Sequence, residues 1–333
     1  VAIFRALKLG DLLCATPAFR AIRRAWPRAH VILIGLPWAR VLIRRYPRYL
    51  DGFCEFPGYP GLPEQAPDIR RFGAFLRRAH RARFDLALQL HGSGIITNHI
   101  VMLLGAATAA GFCAPDAYCP DPSRFPPYPQ AGPEVVRLLR LLDAIGVPSA
   151  GTQLDFPIYP TDRRAARRAA GSDLVAGTYV CVHPGGYSAA RWPPERFAAV
   201  ADALAGKGLR IVLTGQDAER RVTQQVARAM RAPARDTAGR TNLGALGALV
   251  ADARLLVCND TGVSHLAAAL RVPSVVVYTT SDPGRWAPLD RTLHRTALPD
   301  DGPSEAGPDV GNVTGHAEAL LSRRTAANVR AAV

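Results

Sequence analysis

Short apolar runs alternate with stretches of helical periodicity along the whole chain. In the first half the runs are AIFRAL (2–7), HVILIGL (30–36), GFCEF (52–56), FDLALQL (84–90) and AAGFCA (109–114). Between them LCATPAFRAIRRAW, WARVLIRRY, DIRRFGAFLRRAHRA and ITNHIVMLLGA carry apolar residues at helical spacing. Residues 115–133 are proline-rich and irregular, and EVVRLLRLLDAIG then reads as a helix. The prolines and lost periodicity of VPSAGTQLDFPIYP mark a linker between domains. The rhythm restarts with strands TYVCVHPG (178–185), RIVLTG (210–215), RLLVCND (254–260) and PSVVVYT (273–279). Helices PERFAAVADALAGKG, DAERRVTQQVARAM and NLGALGALVADA fill the gaps, and GHAEALLSRRTAANVR closes the chain. Such alternation predicts an α/β protein with mostly parallel sheets, built as two Rossmann-like domains facing across a cleft. Ligands of open parallel sheets bind beyond the carboxyl ends of the strands. The loops that follow strands are therefore where chemistry is expected.

Four such loops carry candidate residues. In KLGDLLCATPA (8–18), Gly10 permits a tight turn and Asp11 stands at a helix start. Asp11 is either an N-cap or a carboxylate aimed into the cleft. In VHPGGYSAARWPPERF (182–197), His183, Pro184 and Gly185 end a strand, and Arg191 precedes a helix opened by a proline pair. Arg191 beside a helix N-terminus suits a phosphate; the competing reading is a surface arginine with a stacking Trp192. In LTGQDAERR (213–221), Asp217 or Glu219 either accepts hydrogen bonds from a ribose or base, or caps a helix. In NDTGVSHLAAAL (259–270), a helix starting near Thr261–Gly262 would converge the amides of 261–264 on an anion, with the Thr261 hydroxyl and His265 on the same side. No G-x-G-x-x-G or G-x-x-x-x-G-K-[ST] pattern is present, which takes support from dinucleotide and P-loop readings.

Composition sharpens this picture. A length of 333 residues fits two domains, and 48% hydrophobic with 20% charged residues fits a folded soluble chain. No apolar stretch approaches the ~20 residues of a membrane span. The opening VAIFRALKLGD reads as a strand entering a loop, not a secretory leader. The net charge of +14 is carried by arginine, and the first hundred residues hold RAIRRAWPR, RVLIRRYPRY and IRRFGAFLRRAHRAR. These faces are either simply solvated or suited to a polyanion such as an anionic membrane surface. Without interleaved aromatics or a nucleic-acid module, nucleic acid is not an expected partner. Six cysteines show no C-x-x-C pair and no metal-ligand spacing, so a reduced, cytoplasmic protein without a bound metal is expected.

Taken together, Asp260-Thr261-Gly262-x-x-His265, the HPG loop at 183–185, the R-W-P-x-E-x-F run from Arg191 to Phe197, and L-G-D-x-L-x-x-T-P-A from Leu9 to Ala18 resemble glycosyltransferase family 9. These are the ADP-heptose:lipopolysaccharide heptosyltransferases and their relatives. The likeness runs in order and spacing from residue 1 to about 290 and is weak beyond. It implies a GT-B fold, with an acceptor-binding domain over 1–155 and a nucleotide-sugar-binding domain over 156–333, whose last helix can pack back on the first. It further implies an inverting, metal-independent transfer that uses no cofactor. Asp11 is then the general base, with Lys8 and Gly10 beside it. Thr261 and Gly262 hold the diphosphate, Arg191, His265, His183 and Gly185 stand near it, Asp260 contacts the donor sugar, and Asp217 binds the nucleoside. The implied partners are ADP-heptose, a glycolipid acceptor and, peripherally, the inner face of the bacterial inner membrane. Where the family often has a lysine just ahead of R-W-P, this chain has Ala190, so either Arg191 or Lys8 supplies the charge. A GT-B enzyme using a UDP-sugar, whether transferase or epimerase, and a non-catalytic nucleotide-binding, membrane-associated protein stay open as alternatives. The intact Asp11 speaks against the last.

Overall fold

In a computed structural model, which describes residues 1–186, 191–299, 302, 304 and 306–330, each of the apolar runs holds or overlaps a strand. The chain divides into two units, Val1–Pro157 and Ile158–Val333. The first contains β1 (Ala2–Phe4), α1 (Leu9–Cys14), α2 (Thr16–Ala25), β2 (Ile32–Gly35), α3 (Ala39–Ile43), β3 (Gly52–Glu55), α4 (Ile69–Ala82), β4 (Leu86–Gln89), α5 (Thr97–Leu103), β5 (Thr108–Ala110) and α6 (Glu134–Ala144). Its sheet is parallel, in the order β3-β2-β1-β4-β5. Phe4, Ile34, Phe56, Phe75, Ala87 and Ile100 meet in the core of one sheet face.

The second unit contains α7 (Pro160–Ala170), β6 (Tyr179–His183), α8 (Pro194–Ala205), β7 (Arg210–Leu213), α9 (Arg220–Ala229), β8 (Ala234–Asp236), α10 (Leu243–Asp252), β9 (Leu255–Asn259), α11 (Gly262–Leu270), β10 (Ser274–Val277), α12 (Pro283–Trp286), β11 (His294–Ala297) and α13 (Val310–Arg330). Its sheet is also parallel, in the order β11-β10-β9-β6-β7-β8. All five residues of β6 and of β9 are buried, as befits strands covered on both faces. Helix α13 packs on α8, β9, β10 and β11 of its own unit. No described helix is long and apolar enough to cross a membrane.

In each parallel sheet the order of successive strands reverses at one point, between β1 and β4 in the first unit and between β6 and β9 in the second. At such a reversal the flanking loops diverge and leave a crevice for a ligand at the carboxyl ends of the strands. Sequence position and topology therefore single out the loops after β1 and β4, and those after β6 and β9.

The stretch expected to be a linker is bound to the first unit. The Arg20 guanidinium donates to the Ala150, Gly151 and Gln153 carbonyls and to the Asp155 carboxylate, at 3.2, 3.3, 2.7 and 2.7 Å. The Tyr49 hydroxyl donates to the same carboxylate at 2.7 Å, and Phe156 is buried beneath the Arg45 guanidinium.

Candidate active site

At the reversal in the first unit, β1 runs out into Arg5, a side chain with no exposure. Its Nε donates to the Asp11 carbonyl at 2.8 Å, its Nη1 to the Leu90 carbonyl beyond β4, and its Nη2 to Glu134 Oε1 at 3.1 Å. One guanidinium thus joins α1, the end of β4 and the start of α6. Asp11 is not an N-cap: that position is Lys8, and Asp11 lies three residues inside α1, with Oδ2 accepting weakly from the Lys8 amide at 3.3 Å. Its side chain keeps 20% exposure, and Oδ1 stands 3.7 Å from Arg5 Nη2. Burial pushes the Asp11 carboxyl above the usual carboxylate range, against the opposing pull of Arg5. Gly10 is buried and Lys8 exposed.

His91, just past β4, stacks on Phe4 with ring centroids 5.4 Å apart. Its Nδ1 accepts from the Ala6 amide at 3.3 Å, so the ring proton sits on Nε2, 3.7 Å from Glu64 Oε1. Glu64 is held below the ordinary value by that histidine, and its Oε2 is buried without a hydrogen-bond partner.

At the reversal in the second unit, β6 ends in His183, which is buried, with Nδ1 3.0 Å from Thr214 Oγ1 and Nε2 3.8 Å from Glu219 Oε2. Burial pushes this imidazole below its ordinary value, against Glu219. Glu219, from the loop after β7, accepts from the Gly186 amide at 2.8 Å and from the Gln216 amide at 2.7 Å. In this arrangement it organises the loop after β6. Asp217, the other acidic candidate there, is 82% exposed and pairs with Arg220 at 2.7 Å.

The loop after β9 meets the loop after β6. Asn259 Nδ2 donates to the Pro184 and Gly185 carbonyls at 2.9 and 3.1 Å, while its Oδ1 accepts from the Trp192 amide at 3.3 Å. Gly186 has φ of 146°, and a Cβ there would stand 2.9 Å from Thr261 Cγ2. Thr261 caps α11, its Oγ1 accepting from the Val263 amide at 3.2 Å and its carbonyl from the Ser264 amide at 3.0 Å. The expectation that four amides converge is corrected accordingly: those of Val263 and Ser264 turn back on Thr261. Gly262 opens α11 in helical conformation and is not among the glycines with positive φ, so no left-handed backbone demands it. His265, one turn in, is buried edge-on to the Trp286 ring at 6.4 Å. Asp260 is half-buried, its amide donating to Val277.

Arg191 is exposed ahead of α8, whose Pro194 occupies the first turn. Trp192 is no surface platform: it is fully buried, donates through Nε1 to Pro308 and packs edge-on to Phe197 at 4.9 Å. Ala190 lies outside the described residues. Among those described, no three His, Cys, Asp or Glu side chains are grouped to hold a metal, and no disulfide links the cysteines.

The predicted residues thus fall into two groups. Lys8, Gly10 and Asp11 lie at the first reversal; His183, Gly185, Asp260, Thr261, Gly262 and His265 lie at the second, with Arg191 and Asp217 on adjoining loops. Sequence reading missed Arg5, Glu134, His91 and Asn259. Arg5 carried the one usable signal, a charge inside an otherwise apolar strand run.

The chain as a whole is similar to known proteins. The family model for glycosyltransferase family 9 (heptosyltransferase) matches residues 72–304, more than half of the chain. Lipooligosaccharide heptosyltransferase 2 of Haemophilus ducreyi is 24% identical over 88% of this chain and 87% of its own. The crystal structure of a family 9 glycosyl transferase from Veillonella parvula superposes with a TM-score of 0.80 at 20% identity, covering 97% of each chain. The E. coli ADP-heptose lps heptosyltransferase II superposes with a TM-score of 0.74 at 21% identity, over 97% of this chain and 99% of that one. The fold class is accordingly GT-B, and the chain belongs to glycosyltransferase family 9.

Proposed function

We propose that this glycosyltransferase moves a heptose from ADP-heptose to a lipopolysaccharide-core or related glycolipid acceptor, with inversion and without a metal. The observation that carries the reading is the division of chemistry between the two crevices. One holds a carboxyl group that burial makes a stronger base; the other holds a helix N-terminus, glycines and buried histidines. In the proposed reaction Asp11 takes the proton of an acceptor hydroxyl. The oxygen forms a bond to the anomeric carbon as the bond to the diphosphate oxygen breaks, and ADP leaves. The amides of Thr261 and Gly262, the dipole of α11, Arg191 and His265 stabilise the charge gathering on the diphosphate. His183 and Gly185 shape that crevice, Asp260 faces the donor sugar and Asp217 the nucleoside, while Lys8 and Gly10 border the acceptor.

The heptose and ADP assignments draw on the named E. coli relative and the family motifs. Exposed Arg70, Arg77, Arg78 and Arg81 on α4, with Phe75 and Ala79 buried beneath, give the first unit a basic face for an anionic membrane surface on the cytoplasmic side. The test is a transfer assay with a heptose-deficient lipopolysaccharide acceptor and a panel of ADP- and UDP-sugars. Product with ADP-heptose alone supports the reading; transfer from a UDP-sugar in its place overturns the donor.

A further inference from the structure

The hydrogen bonds of the buried Arg5 guanidinium all miss the Asp11 carboxylate. They go to the Asp11 main-chain carbonyl, the Leu90 carbonyl and Glu134 Oε1. Nη2 lies 3.1 Å from Glu134 but 3.7 Å from Asp11 Oδ1. Glu134, the first residue of α6, is itself buried, and its Oε2 faces Arg137 Nη1 at 3.8 Å. Arg137 is fixed in turn by the Tyr128 hydroxyl at 3.0 Å and the Gln130 carbonyl at 2.7 Å.

A buried guanidinium beside a single carboxylate closes into a charge-assisted pair, and a carboxylate so engaged is a poor base. We propose that Glu134 is a positioning residue for the base: by occupying Nη2 of Arg5, it keeps the guanidinium from closing on the Asp11 carboxylate. Arg5 then anchors the Asp11 main chain while the carboxylate oxygens remain available to an acceptor proton. This rests on Asp11 being the general base. The groups facing Asp11 are Arg5 from the end of β1, Glu134 from α6, His91 from beyond β4 and the Lys8 amide. Burial and Glu134 raise its proton affinity; Arg5, the Lys8 amide and His91 lower it. Removing the Glu134 charge therefore weakens the base.

The pH dependence of kcat/KM tests this in the full chain. In Glu134→Gln the acidic limb should move down by about one pH unit and the plateau should fall several-fold, with donor KM unchanged. Glu134→Asp, which keeps the charge, should return the limb toward the wild type. A folded Glu134→Gln variant with the wild-type limb overturns the proposal. Should that variant not fold, Arg137→Gln removes the cation on the far side of Glu134 and must move the limb upward; an unmoved limb overturns the proposal equally. If both variants unfold, the cluster holds the fold and not the base, and the proposal falls. Asp11→Asn run in parallel separates the two ideas. Retained activity there defeats the base assignment itself, whereas an inactive Asp11→Asn with an unmoved Glu134→Gln limb defeats only the positioning role.

Discussion

Asn259 and Gly185 are joined by a 3.1 Å hydrogen bond from the Asn259 amide to the Gly185 carbonyl, with a second at 2.9 Å to Pro184. The end of β9 thereby fixes the loop that ends β6, at the reversal of the second sheet. Asn259→Ala leaves two buried carbonyls without a donor, a loss of about 1–3 kcal/mol each if no water enters. We expect ADP affinity to drop at least about tenfold, ~1.4 kcal/mol, together with a lower Tm. Isothermal titration and a melting curve check it; unchanged ADP binding would show that the two loops need no such link.

Asp11→Asn should fold and lose about 10²–10⁴-fold in kcat, the usual worth of a positioned general base. Stability supplies an independent sign. A carboxyl whose pKa is raised on folding stabilises the fold at low pH and loses that contribution as pH rises through the raised value. Above that raised value the ionised Asp11 is therefore a liability, and there Asp11→Asn should melt no lower than the wild type, the difference fading in acid. A variant that keeps its kcat and melts lower would make Asp11 a structural group of α1.

Reading along the chain gave the architecture readily, because buried parallel strands are short, apolar and self-announcing. It passed over β8 (ARD) and β11 (HRTA), which lie at the sheet edges and need only one hydrogen-bonded neighbour, so polar residues suffice there. Helix α7 was hidden for a related reason: PTDRRAARRAA packs on α10 through Ala166, Ala169 and Ala170, too small to show a periodic apolar stripe. The strand-end loops were legible because their glycines, prolines and short polar residues break the periodicity. What was not legible was partnership. Arg5 meets residues 85 and 129 positions away, and Glu134 looked like any acidic residue opening a helix. Trp192, next to a candidate arginine, was indistinguishable from a surface platform until its burial was seen.

Transfer should survive EDTA. No cluster of three potential metal-ligating side chains occurs among the described residues, and the proposed leaving-group stabilisation comes from amides, a helix dipole and cations. Assaying dialysed enzyme with chelator checks it. Loss of activity restored by Mg²⁺ or Mn²⁺ would move the diphosphate chemistry onto a metal.

Gly262→Val tests the helix start. Since Gly262 is helical, the substitution carries no left-handed strain, and its effect reports on steric approach alone. We expect ADP affinity to fall at least about tenfold while adenosine binding changes less, and His265→Ala to show the same pattern in milder form. Parallel titrations with the two ligands decide it: equal losses would mean that this turn shapes the domain without touching phosphate.

The strand order of the first unit also has a consequence in time. Of the strands of its sheet, β1 is made first yet ends in the middle, and Arg5 at its end waits for a carboxylate 129 residues downstream. At about 5–20 residues per second that wait lasts roughly 6–25 s. Until Glu134 emerges, the guanidinium has the Asp11 carboxylate beside it and no second acid to hold it off, so a sheet that closes early closes with Arg5 paired to that carboxylate. A fragment cut at the end of β5, although it holds every strand of the sheet, therefore stops short of the residue that keeps Arg5 and Asp11 apart.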